Sequence, residues 1–234
     1  MKRFYKQVAV VAEDGFFLIT LDGKQVRSPG RARLELPTEA LADCVAEEWR
    51  EQKENIVPER MPMTRFVNSA IDRVRPRIQE VIDEIAAYAA TDLLCYRTGS
   101  PEELASRQVS AWQPLLDWAA ERYGAKLRVT QSITPIAQDE VALAVIRDEV
   151  AARDEYALSG LHSLTTASAS IVLALAVSEG HIGANDAAAA SLLEETFQAE
   201  NWGEDPEAAA RWGSITAEIK AAARFLTVAQ LKPS

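Results

Sequence analysis

The hydrophobic periodicity of the chain changes at Pro37, and this change sets the order of the elements that it can form. Before Pro37, the short runs FYKQVAVV, FFLITL, KQVRS and ARLEL are rich in β-branched and aromatic residues and are separated by turn residues. Such runs predict strands, and Asp22-Gly23 between two of them favours a two-residue hairpin because glycine tolerates a positive φ. Residues 1–36 therefore predict a small antiparallel sheet.

From Thr38 onward the hydrophobic residues repeat at intervals of three and four, as is typical of helices. Thr38 is placed to cap a helix through ALADCVAEEWREQ, and Trp49 lies on the apolar side of that helix. We therefore expect Trp49 to be structural and to hold the helix against the sheet. Its neighbours Glu47 and Glu48 are expected on a charged face of the same helix.

Pro58 and Pro62 follow this helix and prevent its continuation, so the predicted domain junction lies here. The predicted fold class is α+β. A small β-rich N-terminal domain, made of antiparallel strands plus one helix, is expected over residues 1–60. A larger all-helical C-terminal domain is expected over residues 61–234.

Capping residues and helix breakers divide the second part of the chain. Ser100, Pro101 and Glu103 predict a capping box at the start of a helix that Gly124 ends, and Pro114 predicts a kink or a split inside it. Further helices are predicted around Ile78–Ile85 and over about 138–153, 154–178, 186–201 (capped by Asn185) and 206–229.

The formal net charge is −10, which argues against nucleic acid or an anionic membrane as the main partner. The charge is unevenly distributed, since no Lys or Arg occurs from Asp154 to Ala210, whereas ten acids do. A chain with one near-neutral part and one acidic part suits a protein partner with a basic or mixed surface. The alternative explanation is solubility alone.

Residues 156–178 carry no formal charge and are numerous enough to cross a bilayer. Serines, threonines and His162 interrupt the stretch, and its only dense apolar run is IVLALAV. These polar interruptions favour a buried core helix of small residues over a membrane span. The start of the chain turns acidic at Glu13 and Asp14, so we expect no signal peptide.

The sequence lacks the common motifs of phosphate and metal chemistry. No P-loop, G-x-G-x-x-G, C-x-x-C or H-E-x-x-H occurs. His162 falls in the uncharged helix and is expected as a hydrogen-bonded core imidazole, whereas His181 is expected to be exposed. Cys44 and Cys95 predict reduced core thiols, with Cys95 a small buried hydrophobe. We therefore expect no cofactor, no metal site and no catalytic residue.

The segment LLEETFQAENWG, residues 192–203, combines acidic and aromatic side chains. Glu194 and Glu195 are adjacent, so on a helix they point about 100° apart and do not form a proton-sharing pair. One interpretation is a solvated helix face with Phe197 directed into the core. The other is an acidic, partly aromatic docking surface for a protein.

Several segments together, in their order along the chain, resemble one family. They are FYKQV, LDGKQVRSP, LPTEALADCVAEEWREQ, PERMPMT, ATDLLCYR, WQPLLDW and LEETFQAENWG, and they extend from about residue 3 to about residue 203. In this combination they resemble the assembly chaperones that handle the α subunit of the F1 sector of ATP synthase, known from mitochondria and from some bacteria. The resemblance implies a β-rich N-terminal domain, a helical C-terminal domain and a non-enzymatic task.

By resemblance, that task is to bind the unassembled α subunit and to shield its subunit interface until the β subunit replaces the chaperone. The absence of a P-loop fits an ATP-independent release. The resemblance implies that the family's acidic functional segment falls on Glu194 and Glu195, with Gln198 and Trp202 beside them. Trp49 matches the family's Glu-Trp pair. Because the chain begins almost directly with the first matching segment, a bacterial, cytoplasmic member without a transit peptide is expected.

Two other functions are open at this point. A small hydrolase or lyase could use Asp92, Glu194 or Glu195 as acid and base in a cleft of the helical domain, whereas the chaperone hypothesis makes Asp92 structural and requires no small-molecule substrate. A generic adaptor would differ from the chaperone only in its partner. A closed pocket with two converging carboxyl groups would favour the enzyme, and an open face with the same groups in solvent would favour docking.

Overall fold

The computed structural model describes residues 1–132, 134–203 and 205–230. Its antiparallel sheet has the order β1-β2-β3, with β1 at Val8–Glu13, β2 at Phe16–Leu21 and β3 at Lys24–Gln25. In the turn between β2 and β3, Asp22 and Gly23 have φ values of 49° and 78°. The predicted Asp22-Gly23 hairpin is therefore confirmed, and it uses the left-handed backbone that glycine adopts without strain.

The first helix, α1 (Glu39–Glu51), begins where the sequence predicts. Thr38 Oγ1 accepts a hydrogen bond from the backbone N–H of Leu41 at 3.1 Å, which makes Thr38 the N-cap. Leu41 and Val45 are fully buried, and α1 lies against β1 and β2. Capping and an apolar face together account for the position of this helix.

Glu48 does not lie on an exposed charged face, so that prediction is wrong. Its side chain is buried and accepts hydrogen bonds from Met63 N at 2.6 Å, Thr64 N at 2.8 Å and Thr64 Oγ1 at 2.7 Å. These donors belong to the first turn of α2 (Pro62–Ser69), whose N–H groups have no partner within the helix. Burial raises the pKa of Glu48, and the three hydrogen bonds oppose that rise.

The remaining regular elements are helical. The longer helices are α3 (Ile78–Ala87), α4 (Glu102–Tyr123), α5 (Glu140–Ala151), α6 (Glu155–Ser168), α7 (Ile171–Ser178), α8 (Ala184–Ser191), α9 (Leu193–Trp202) and α10 (Pro206–Gln230). Single turns of 3-10 or π helix cover Pro58–Arg60, Ala70–Val74, Arg75–Arg77, Tyr88–Thr91 and Leu93–Cys95.

The helix predicted over 154–178 is two helices. Ala169 has a φ of 54°, which ends α6, and Ser170 caps α7 by accepting from Leu173 N at 3.0 Å. Every residue from Ile171 to Ala176 is buried, so the expectation of a buried stretch of small and apolar residues is confirmed for α7. Within the described ranges, none of the helices combines the length and apolarity that crossing a bilayer requires.

The helix predicted over 186–201 is also divided. It forms α8, which is capped at Gly183 and not at Asn185, and α9, which begins after Leu192. The predicted capping box at Ser100 is absent, because Pro101 occupies the N-cap of α4 without a side-chain bond. Helix α4 continues through Pro114 to Tyr123, so the predicted split does not occur, and Gly124 ends the helix as expected.

His162 is not a core residue. Its side chain is 43% exposed and its Nε2 lies 3.6 Å from Glu84 Oε2, so the predicted core imidazole is wrong. His181 is exposed, as predicted, and its ring stacks on Trp118 at 4.8 Å. Cys95 is buried and burial raises the pKa of its thiol to about 12, which agrees with a hydrophobic and unreactive residue.

Contacts divide the chain into two compact units. The first unit comprises Met1–Ile78, Arg153–Gly160 and the chain from Arg224, and the second comprises Gln79–Ala152 and Leu161–Ala223. All three strands belong to the first unit, and the described elements of the second are helices and helical turns, which confirms the α+β fold class with a small antiparallel sheet. Neither unit is continuous in sequence, whereas the predicted division at residue 60 follows the sequence.

Candidate functional site

The acidic segment predicted as a docking surface forms α9 in the second unit. Glu194 and Glu195 occupy the first turn, where carboxylates interact favourably with the positive end of the helix dipole. Gln198 and Trp202 follow at helical spacing, and Gly203, with a φ of 92°, ends the helix. One short helix therefore carries all four predicted docking residues.

Phe197 anchors α9 to the rest of the unit. It is only 3% exposed, which confirms the prediction that it is directed into the core. The Arg107 guanidinium lies 5.1 Å from the centre of its ring, and Asn201 Nδ2 donates to the Phe197 carbonyl at 2.9 Å. Burial of an aromatic side chain on one face leaves the other face of the helix available to solvent.

Glu194 is half-buried and hydrogen-bonded to a fully buried amide. Gln108 Nε2 donates to Glu194 Oε1 at 2.5 Å, while Gln108 Oε1 accepts from Thr98 N at 2.8 Å. Burial raises the pKa of Glu194, the neighbouring Glu195 raises it further, and the Gln108 hydrogen bond opposes the shift. The carboxylate is therefore hydrogen-bonded to α4, and its ionised form is less favourable than that of an ordinary surface acid.

Arg107 joins α4 to the far end of α9. Its guanidinium contacts Glu103 Oε1 at 2.8 Å and Glu200 Oε2 at 2.6 Å, and these two hydrogen bonds raise the pKa of Arg107. An open groove beside this network is lined by Glu103, Ser106, Arg107, Ser110, Ala111 and Leu193. Because the network is exposed, its main effect is to orient the helices and not to stabilise them strongly.

The solvent face of α9 presents an acid, an amide and an aromatic ring. Gln198 is exposed and Trp202 is 77% exposed, the second largest exposed fraction among the large hydrophobic residues of the described chain. Glu195 and Trp202 are seven positions apart, so they share one side of the helix over two turns. An exposed Trp next to carboxylates is typical of a protein-binding surface, since Trp is enriched where interfaces are most tightly packed.

Asp92 is fully buried in the second unit. Its carboxylate accepts from Ser170 Oγ at 2.8 Å, Leu94 N at 3.0 Å and Val172 N at 3.1 Å. Burial raises its pKa to about 6, and the hydrogen bonds oppose the rise. These contacts cap α7 and fit a structural role.

The carboxylates of the enzyme alternative are arranged differently. Asp92 is enclosed among backbone N–H groups, Glu194 is hydrogen-bonded to Gln108, and Glu195 lies beside Glu194 on the surface of α9. No hydrogen bond among the described residues joins Asp92 to either glutamate. Asp92 and Glu194 are therefore each engaged in separate hydrogen bonds, and Glu194 and Glu195 are partly exposed.

Within residues 1–132, 134–203 and 205–230, no group of three or more His, Cys, Asp or Glu side chains is placed to hold a metal ion.

Trp49 belongs to the first unit, where its ring meets the Tyr5 ring edge-on at a centroid distance of 5.6 Å and its carbonyl accepts from Tyr5 Oη at 2.7 Å. Its predicted structural role therefore has a specific packing partner.

Comparison with known proteins identifies the family. Residues 2–120 of the chain match a family model described as ATP12 chaperone protein. The chain belongs to this family. A crystal structure of Atp12 from Paracoccus denitrificans is 43% identical, covers 98% of each chain and superimposes with a TM-score of 0.94. The same values hold for a variant of that Atp12 in which lysine replaces an aspartate.

Two further relatives extend the comparison. The Atu1473 protein of Agrobacterium tumefaciens is 40% identical, with a TM-score of 0.92 over 97% of this chain and 85% of that one. The mitochondrial protein atp12 of Schizosaccharomyces pombe is 24% identical over 214 residues, which is 86% of this chain and 74% of the relative. Helix α9 lies beyond the region matched by the family model but within the span of the Paracoccus structures.

The sequence did not indicate the residues of α4 that position α9. Arg107 and Glu103 are four positions apart, a spacing that predicts their own ion pair but not the contact with Glu200. Nothing in the sequence indicated that Gln108 is buried, because a polar residue in an amphipathic helix is ordinarily expected to face solvent.

Proposed function

We propose that this protein is an assembly chaperone that binds the unassembled α subunit of F1 ATP synthase and covers the surface that this subunit later presents to the β subunit. The observation that carries the proposal is α9. In a chain of the ATP12 chaperone family, this helix combines Glu194, Glu195, Gln198 and an exposed Trp202, and no Lys or Arg occurs from Asp154 to Ala210. Such a surface complements a partner with basic and apolar side chains.

The physical task requires no chemical step. A single subunit of a ring exposes apolar surface intended for its neighbours, and such surface promotes aggregation. A chaperone that binds only the folded subunit stabilises it by mass action. Release then follows when the β subunit buries more surface than the chaperone does, so nucleotide hydrolysis by the chaperone is unnecessary. We expect this to take place in the bacterial cytoplasm.

The test is binding of the purified chain to purified, unassembled F1 α subunit. We expect co-elution in gel filtration, slower aggregation of the α subunit on warming, and displacement of the chain when the β subunit is added. Failure of the chain both to co-elute and to slow aggregation would refute the proposal.

A charge reversal then tests the surface. Glu194→Lys combined with Glu195→Lys should weaken binding by about tenfold or more, because like charges then face the basic partner. Glu121→Lys combined with Asp148→Lys is the matched control, since both acids are exposed in the same unit, have no place in the proposed surface and give the same change in charge. Circular dichroism checks that both double variants fold. Equal binding by the double variant and the control would place the docking surface elsewhere.

A further inference from the structure

The first unit carries a concavity of about 650 Å³ that has no part in the function proposed for α9. The apolar residues of its lining, called the apolar wall below, are Met1, Trp49, Ile56, Pro58 and Met61. A cavity of this size accommodates several side chains of a bound segment, and an apolar wall with a few polar groups is typical of binding sites.

Asp72 belongs to the polar part of the lining. It accepts from Ser28 Oγ at 2.6 Å and from Gly30 N at 2.7 Å, which ties the loop after β3 to the chain that follows α2. A Cβ atom at Gly30 would lie 2.6 Å from Asp72 Oδ1, so glycine permits this close approach. Both carboxylate oxygens are therefore already occupied by the fold.

Three arginines, Arg27, Arg65 and Arg73, complete the concavity, and all three are exposed. Asp72 is the single acid among the described lining residues, and its oxygens are already hydrogen-bonded. The concavity therefore combines an apolar wall with a positively charged rim. Carboxylates are the natural partners of such a rim, since arginine binds them through paired hydrogen bonds.

Trp49 adds an unsatisfied donor at the apolar wall. Its indole Nε1 is buried and has no acceptor among the described residues. Because this N–H is shielded from solvent, an occupant of the concavity would contact the indole ring and not this donor. The occupant that fits both features has carboxylates for the rim and an apolar group for the wall.

We propose that this concavity binds an extended segment of the partner protein in which acidic residues flank an apolar side chain. For the identity of that partner, the inference rests on the proposed function, so the segment belongs to the unassembled F1 α subunit. The concavity and α9 then recognise opposite charges.

Charge reversal at the rim is the first test. Arg27→Glu combined with Arg73→Glu should weaken binding of the α subunit by about tenfold in low salt. Lys24→Glu combined with Lys53→Glu is the matched control, because both lysines are exposed in the same unit and neither lines the concavity. Circular dichroism confirms that both variants fold. Equal affinities for the rim variant and the control would overturn the inference.

The second test is crosslinking. Asn68, which also lines the concavity, is replaced by a photocrosslinking residue. We expect it to capture an α-subunit segment with carboxylates beside an apolar residue, and the same residue in place of Lys24 to capture none. Capture of a segment without acids, of a second copy of this chain, or of nothing would overturn the inference. Should the unaltered chain itself not bind the α subunit, the proposed function fails. Should it bind while Asn68 captures nothing, the concavity alone is excluded.

Discussion

Gln108 Nε2 donates to Glu194 Oε1 across 2.5 Å and so joins the second turn of α4 to the first turn of α9. Gln108 is fully buried, and its other amide atom accepts from Thr98 N, so the amide cannot turn without losing a bond. One acid of the proposed docking surface is therefore fixed in orientation. No hydrogen bond among the described residues fixes Glu195, which leaves its carboxylate available to a partner. We therefore expect the two adjacent acids to have different roles, Glu194 in holding α9 against α4 and Glu195 in contact with the partner.

The first prediction concerns Gln108. Gln108→Ala leaves the Thr98 N–H and the half-buried Glu194 carboxylate without their partner and opens a cavity inside the unit. We expect the free energy of unfolding to fall by about 2–3 kcal/mol, measured by urea denaturation. Gln113→Ala on the same helix is the control and should cost less than about 1 kcal/mol, because its contacts with Arg97 and Asp117 are more exposed. Similar losses in both variants would contradict the role assigned to Gln108.

A second prediction separates the charge of Glu194 from its hydrogen bond. Glu194→Gln keeps an oxygen that accepts from Gln108 and removes a carboxylate whose ionised form burial disfavours, as its raised pKa indicates. We expect the free energy of unfolding at pH 7 to stay the same or to rise slightly, while affinity for the F1 α subunit falls. A variant that is clearly less stable would show that the fold needs the charge itself.

The third prediction concerns Trp202. Its side chain is 77% exposed, so Trp202→Ala should change the free energy of unfolding by less than about 0.5 kcal/mol. At a tightly packed interface an aromatic anchor is worth about 2 kcal/mol or more, so binding of the α subunit should weaken about thirtyfold in a calorimetric titration. Phe197→Ala offers the contrast, because a buried aromatic should reduce stability by about 3 kcal/mol or more. Undiminished binding by the Trp202 variant would remove this residue from the docking surface.

The elements that depend on local signals could be predicted from the sequence. Thr38 caps α1, Gly124 ends α4, the turn at Asp22 closes a hairpin, and Phe197 faces the core, because each follows from its immediate neighbours. The helical state of the acidic segment belongs to the same class, whereas the break at Leu192, which places its acids in a first turn, was not predicted.

The features that depend on distant contacts could not be predicted. The break after α6 is held by the bond from Leu93 N to the Ala169 carbonyl at 3.1 Å and by Asp92, which is 78 positions from Ser170. Glu48 is buried because it caps a helix that begins 14 positions later, and Gln108 is buried because it meets Glu194. The polar residues Glu48 and Gln108 are expected in solvent from the sequence, and Ala169 is expected inside a helix. In each case the contact that decides the conformation comes from a residue that is distant in sequence.

The last prediction tests the buried carboxylate of Asp92 by its dependence on pH. Burial raises the pKa of Asp92 in the folded protein to about 6, whereas the ordinary value is 3.8. Between pH 3.8 and about pH 6 the folded state therefore binds more protons than the unfolded state. The contribution of Asp92 to the free energy of unfolding is therefore larger at pH 4 and declines as the pH rises towards 6, by about 3 kcal/mol at most.

Asp92→Asn removes this titration and turns an amide N–H₂ towards donors such as Val172 N, which costs about 1–3 kcal/mol. The variant should be less stable than the unaltered chain at both pH 4.5 and pH 7. The difference in free energy of unfolding, measured by urea denaturation, should be greater at pH 4.5, where Asp92 is protonated in the folded state. Other titrating groups are common to both chains and cancel in the difference. A difference that does not change with pH, or that is greater at pH 7, would show that Asp92 is ionised throughout and that its hydrogen bonds outweigh its burial.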